Sequence, residues 1–347
     1  MQSGKLSPSE LERLVLGRLG VRRPDVLVHA ALGEDAAVIA MGDQACVITT
    51  DPLTGAVAEA GWFAVHIACN DLAAMGAEPV GVLATLLFPE RSEPADIERT
   101  MIDVDRAARE LGIEVLGGHT EITGGLTAPI IVMAAVGRAP IDRIVTSSGA
   151  RPGDALVLTK AAGLEGTAIL AVDLADELRD QLGDTLLLQA QRLAGWLSVV
   201  PEGLLAARLG ATAMHDPTEG GLLGAIWEMA EASRIGFELR VDDVPVLPET
   251  FALCQALEVD PLKLISSGAL LIACADGAAM VEGITRAGIA ATVIGEFVPQ
   301  ERVVVRGGRR DAAEPVWRDE LWRVLDARRT GEHAAASAES AAASDPA

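Results

Sequence analysis

The sequence predicts a two-domain α+β protein, and three observations carry that prediction. The 347-residue chain is longer than the roughly 100–200 residues of one domain. Half of it is hydrophobic, in short strand-length runs alternating with helix-length segments of 3.6-residue periodicity. The pattern lapses between Arg138 and Gly153 into Ser-Ser-Gly and Arg-Pro-Gly-Asp punctuation, which reads as a domain boundary.

Ser7-Pro8-Ser9-Glu10 supplies an N-cap, a first-turn proline and a capping-box glutamate, and opens a helix with Leu11, Leu14 and Val15 on one face. Beyond Arg22-Arg23-Pro24, Ala36–Ala40 and Ala45–Thr50 predict two strands joined at Met41-Gly42-Asp43-Gln44. Gly61–Met75 predicts a helix stopped by Gly76, and Val80–Phe88 a buried strand. Ile97, Met101, Val104, Ala108 and Leu111 mark the inner face of a helix ended by Gly112, and Pro129–Val136 is a fourth strand. The second half reads as strand (Ala155–Thr159), helices to about Leu209, strand (Ala211–Met214), helix (Thr218–Ser233) and helix (Pro248–Leu257). Strand (Ala269–Cys274), helix (Gly277–Ala287) and strand (Ala291–Phe297) follow. The expected organisation is a helical segment over 1–28, an N-terminal four-stranded domain over 29–140, a C-terminal mixed domain over 150–310, a terminal helix over 311–330 and a loose Ala- and Ser-rich tail over 331–347.

Composition narrows the function. Fifty Asp and Glu against 28 Lys and Arg, a net charge of −22, argue against nucleic acid and anionic membranes as partners. Any phosphate ligand would need a divalent cation between it and these carboxylates. The chain has no Tyr and 3% aromatic residues, so base-stacking platforms are not expected and the core must be aliphatic. Cys46, Cys69, Cys254 and Cys274 form no C-x-x-C pair and read as reduced thiols. With no signal core and no membrane-length apolar stretch, a cytoplasmic protein is expected.

There is neither a G-x-x-x-x-G-K-[ST] loop nor a G-x-G-x-x-G turn. Instead, aspartates recur where strands or helices meet small-residue turns: Asp35 in Gly33-Glu34-Asp35, Asp51 in Thr49-Thr50-Asp51-Pro52, Asp71 after Asn70, and Asp216 in His215-Asp216-Pro217-Thr218. Four carboxylates converging on one cleft would form a hard oxygen site for Mg²⁺, which takes its other ligands from water and substrate phosphates. Singly, each is equally a cap or turn residue. The glycines of Gly117-Gly118-His119-Thr120-Glu121 and of Glu219-Gly220-Gly221 either bring backbone N–H groups to phosphate or only turn and pack the chain. Lys160 is a phosphate contact or a strand-end lysine. His66, His119 and His215 admit a zinc reading, without the i, i+4 spacing of a helical zinc motif.

Taken in order, GEDAAVI (33–39), TTDP (49–52), NDLAAMGAEP (70–79), GGHTEIT (117–123), GDALVLTK (153–160), HDPTEGGLLGA (215–225) and SSGALLIA (266–273) resemble the segments of the PurM superfamily. That group includes AIR synthase, thiamine-monophosphate kinase, selenophosphate synthetase and the HypE proteins. The resemblance covers about residues 4–300. It implies a PurM-like fold whose N-terminal domain pairs with its twin in a homodimeric barrel, and ATP with Mg²⁺ bound between domains. It also implies that Asp35, Asp51, Asp71 and Asp216 hold metal and triphosphate. Asn70, Gly117, Gly118, Thr120, Lys160, Thr218, Gly220 and Gly221 would line or shape the nucleotide cleft, with His119 or Glu121 handling a proton.

Departures separate this chain from particular members. Gly118-His119-Thr120 stands where thiamine-monophosphate kinases carry G-G-D-T, and the terminal cysteine of HypE proteins has no counterpart, the last cysteine being Cys274. The expected activity is an ATP- and Mg²⁺-dependent, HypE-like or AIR-synthase-related enzyme. It would activate a carbonyl, amide or phosphate oxygen of a small or carrier-protein substrate. Alternatives are a non-catalytic ATP-binding partner in a maturation complex, a thiamine-monophosphate-kinase-like phosphotransferase, and a zinc hydrolase.

Overall fold

Two sheets, each backed by helices, organise the chain; the computed structural model describes residues 6, 8–54, 59–316 and 318–328. The first sheet contains β1 (Val26–Val28), β2 (Ala37–Met41), β3 (Gln44–Thr54), β4 (Glu78–Pro89), β5 (Glu114–Thr123) and β6 (Ile130–Pro140), in the order β1-β2-β3-β6-β4-β5. The four expected strands are present, and β1 and β5 extend the sheet to six.

The added β5 corrects the reading of Gly117–Glu121 as a turn. This segment is extended and pairs parallel to β4, with Ala84 opposite Gly118 and Leu87 opposite Glu121. A parallel pair needs a long crossover, and α1 (Pro94–Leu111) supplies it. Its start is built by a capping box between Glu93 and Asp96 with Pro94 in the first turn, and Gly112 ends it at φ 68°. The glycine pair that broke the strand pattern is there for contact: a Cβ at Gly118 would lie 1.9 Å from the Ala84 carbonyl oxygen.

Between the sheet and the C-terminal half runs α2 (Ala60–Ala74), which precedes α1 in sequence. Nearly every residue on it is buried, which is why it shows no amphipathic stripe. Glycines make its close crossings: a Cβ at Gly61 would sit 2.3 Å from the Thr100 carbonyl oxygen of α1, and one at Gly203 2.5 Å from that of Ala73.

The second sheet holds β7 (Ala155–Thr159), β8 (Ala213–His215), β9 (Gly236–Arg240), β10 (Leu271–Cys274), β11 (Ala291–Val298), β12 (Arg302–Arg306) and β13 (Arg309–Ala312), in the order β13-β12-β9-β11-β7-β10-β8. Both faces are covered. Leu156 and Leu158 of β7 join one cluster with Leu222, Ile226 and Phe237, while Val157 joins another with Met214, Ile272 and Ile284. A strand buried on both sides reads as a continuous apolar run. The helices around it are α3 (Leu164–Asp173), α4 (Ala175–Arg192), α5 (Val200–Leu209), α6 (Gly221–Ser233), α7 (Pro248–Leu257) and α8 (Gly277–Arg286). Strands β9, β12 and β13 escaped the sequence reading, the last two joined by a Gly307-Gly308 hairpin turn with φ of 55° and 79°.

The terminal helix begins at residue 320 rather than 311 and continues to 328, the last described residue, because β13 takes the start of that segment. Near the start of the chain, Pro8–Leu11 is helical and Glu12–Leu16 continues as a wider π turn, with Leu14 and Val15 exposed. The cap residue Ser7 and the tail over 331–347 lie outside the described residues. Among the described residues, no helix is long and apolar enough to cross a membrane.

Candidate functional site

The strand period places Asp51 two residues beyond Thr49 on β3, so both share the face that buries Ala45 and Val47 against α2. Asp71 points back from the last turn of α2, and Asp35 lies in the loop before β2. Asp216 follows β8 directly and comes from the other half of the molecule. The fold brings these four aspartates together. The Asp71 carboxyl is pushed well above the usual carboxylate range, first by burial and then by the Asp51, Asp216 and Asp35 carboxylates.

Thr49, which sequence reasoning did not single out, knits the cluster. Its Oγ1 lies 2.6 Å from Asp71 Oδ2 and 3.0 Å from the Asp35 carbonyl oxygen. A hydroxyl has one proton, so it donates to that carbonyl only when Asp71 is itself protonated and donates in return.

His215 supplies the second element. Its Nδ1 is 2.6 Å from Asp35 Oδ1 and its Nε2 is 2.8 Å from Glu228 Oε2. Burial opposes a charge on the ring, yet Asp35 and Glu228 together hold its pKa well above the ordinary histidine value. A doubly protonated imidazole keeps no lone pair for a metal. The group Asp35, His215 and Asp216, whose donor atoms all lie within 4.8 Å of one another, therefore offers oxygen rather than nitrogen to an ion. Asp51 Oδ2 is buried without a hydrogen-bond partner. Clustered carboxylates with a buried oxygen left over fit a hard divalent cation, and the histidine positions Asp35.

The remaining predicted residues divide. His119, Thr120 and Glu121 sit on β5 at the sheet edge, exposed, with His119 Nε2 3.2 Å from Glu121 Oε2. Strands β6 and β4 separate β5 from β3, a lateral distance of roughly 14 Å at about 4.8 Å per strand, so this pair does not join the aspartates of its own chain. Asn70 is buried and both ends of its amide are engaged: Nδ2 donates to the Leu197 carbonyl and Oδ1 accepts from the Val199 amide, each at 2.8 Å. It shapes the junction between the halves.

Two of the groups expected near phosphate have partners within the chain. The Lys160 ammonium donates to the carbonyls of Trp196, Ser198 and Gly268 at 3.0, 2.6 and 2.7 Å and pairs with Glu202 at 2.7 Å, which occupies its three protons. At the head of α6, the Gly220 amide donates to Asp319 at 2.7 Å and the Gly221 amide to the Thr218 carbonyl at 3.0 Å. Asp319, from the terminal segment, thus satisfies the Gly220 amide at the head of this helix. Gly221 is needed because a Cβ would sit 2.6 Å from the Leu264 carbonyl oxygen at φ 61°.

Comparison with known proteins gives this geometry a relationship. Residues 33–139 match the family described as AIR synthase related protein, N-terminal domain, and residues 151–308 match its C-terminal domain. Carbamoyl dehydratase HypE of Cupriavidus necator is 32% identical over 251 residues, covering 70% of this chain and 69% of that one. Among solved structures, a chain of a HypE–HypF complex superposes with a TM-score of 0.74 at 19% identity, covering 88% of this chain and 99% of its own. A HypE solved in complex with ATP superposes with a TM-score of 0.67 at 21% identity, covering 92% and 97%. Both modules match in order, over the segments that contain the four aspartates, and the chain belongs to the AIR synthase related protein family.

Proposed function

We propose that this protein is an ATP- and Mg²⁺-dependent enzyme that uses phosphoryl transfer to activate a carbonyl, amide or phosphate oxygen of an acceptor substrate. The observation that carries the reading is the meeting of Asp35, Asp51 and Asp71 from one half with Asp216 from the other, close enough that three of them raise the pKa of the fourth. An acidic molecule gains from such a cluster only if a cation neutralises it. The relative solved with ATP supports a nucleotide as the source of phosphate.

In this reading the four aspartates hold Mg²⁺, with His215 and Glu228 fixing Asp35 and Thr49 fixing Asp71. The ion would supply electrostatic stabilisation to the transferring phosphoryl group, as metal clamps do in phosphoryl transfer. His119 and Glu121, exposed on β5 beside Leu116 and Ile122, face outward where a second copy would cover them. A homodimer through β5 would bring this pair toward a site that its own chain cannot reach.

Replacing Asp71 by Asn keeps the shape and removes a carboxylate that is already hard to ionise. Calorimetric titration of Mg·ATP should show binding to the wild type and at least a tenfold loss for Asp71→Asn, about 1.4 kcal/mol, with an unchanged or raised unfolding midpoint. Unchanged affinity would remove Asp71 from the site.

A further inference from the structure

Lys160 follows β7 directly in the left-handed region, at φ 53°, a strained conformation for a non-glycine residue. The strain is offset by what the side chain reaches. Its ammonium, largely buried against Glu202 of α5, grips two backbone segments at once. One is the turn 196–199, held through the Trp196 and Ser198 carbonyls; the other is the loop 266–268, held through the Gly268 carbonyl.

Each segment hydrogen-bonds to the residue next to a site aspartate. The Leu197 carbonyl and the Val199 amide of the first dock on Asn70, the neighbour of Asp71. In the second, the Ser266 amide donates to the carbonyl of Pro217, the neighbour of Asp216, at 3.0 Å. Asp71 belongs to the N-terminal half and Asp216 to the C-terminal half. A single buried cation is thus common to the two supports that set their separation.

We propose that Lys160, paired with Glu202, is a positioning residue that sets the distance between Asp71 and Asp216 and so tunes cation affinity without touching the ion. The inference rests on the metal-site reading above. It takes the lysine out of phosphate binding and makes it the link between the two halves of the site.

Mn²⁺ alone, followed by electron paramagnetic resonance on the full chain, tests both ideas separately. Wild type should bind Mn²⁺ and Asp71→Asn should not; no binding by the wild type would overturn the metal site and the positioning role with it. The double variant Lys160→Met/Glu202→Gln removes both charges and leaves no orphaned buried ion. It should keep its circular dichroism spectrum and bind Mn²⁺ about tenfold more weakly, within the range by which residues remote from a ligand modulate its affinity. Hydrogen exchange at the Val199 amide should quicken in the same variant. Lys160→Arg, whose planar fork cannot serve three carbonyls and a carboxylate alike, should fold and weaken Mn²⁺ binding by about threefold or more. Wild-type Mn²⁺ affinity in either folded variant overturns the proposal.

Discussion

Glu165, in the first turn of α3, is 3% exposed, and its carboxyl is pushed up to about 7 by burial, with Asp319 and Glu219 adding to the rise against a lowering contact from Ser267. Asp319 is likewise pushed up to about 6 by burial. A carboxyl whose folded pKa exceeds its unfolded value binds more protons when folded, so its stabilisation is full below about 4.5 and is lost as pH rises through 7. Glu165→Gln cannot ionise. Its unfolding free energy should exceed the wild type's by an amount that grows between pH 5 and pH 8, to at most about 3 kcal/mol. Denaturant titrations at both pH values measure this, and a gap that does not change with pH would reject it. Residue-level legibility was uneven for a related reason. Asp35, Asp51 and Asp216 stand out by an adjacent alanine or proline and Asp71 by the preceding Asn70, whereas Thr49, Glu165, Glu228 and Asp319 carry no local mark. Thr49, Glu165 and Asp319 acquire their roles because burial deprives them of water, and Glu228 because the fold sets it against His215.

At the scale of elements, glycine spacing decides how closely helices cross. Gly203 of α5 lies against Ala73 of α2, where an added Cβ would meet the backbone oxygen at 2.5 Å, the backbone carbon at 2.8 Å and the alanine methyl at 3.0 Å. Backbone cannot swing aside as a flexible side chain can. Gly203→Ala should cost about 1–3 kcal/mol in urea unfolding, more than its gain in helix propensity, and a stability within about 0.5 kcal/mol of wild type would show the crossing to be compliant. Helix α1 was readable from its periodic face and its caps because those signals are local. Strand β5 was not, since glycines that suit a turn also suit a strand pressed against a neighbour.

For the whole molecule, net charge and exposed surface point in different directions. A charge of −22 keeps copies apart at low salt, while β4 and β5 expose Val80, Leu83, Leu116 and Ile122 at the sheet edge. An exposed apolar strand edge is normally covered. Sedimentation should show a dimer that tightens with salt, and Leu116→Glu should shift it to monomer; a dimer indifferent to that substitution would place the interface elsewhere.

Local pattern alone points to the two-part α+β organisation, a break near residues 138–153 and four candidate carboxylates, because period, punctuation and residue chemistry are written along the chain. Which candidates meet was settled by the order of strands. Inserting β6 and β4 between β3 and β5 moves His119 and Glu121 out of reach of the aspartates, and the packing of α2 against α5 and the turn 196–199 turns Asn70 toward that turn. Lys160 and the Gly220–Gly221 turn found partners within the chain for the same reason. A buried donor must be satisfied by whatever the fold brings within about 3 Å, and only the tertiary structure specifies what that is.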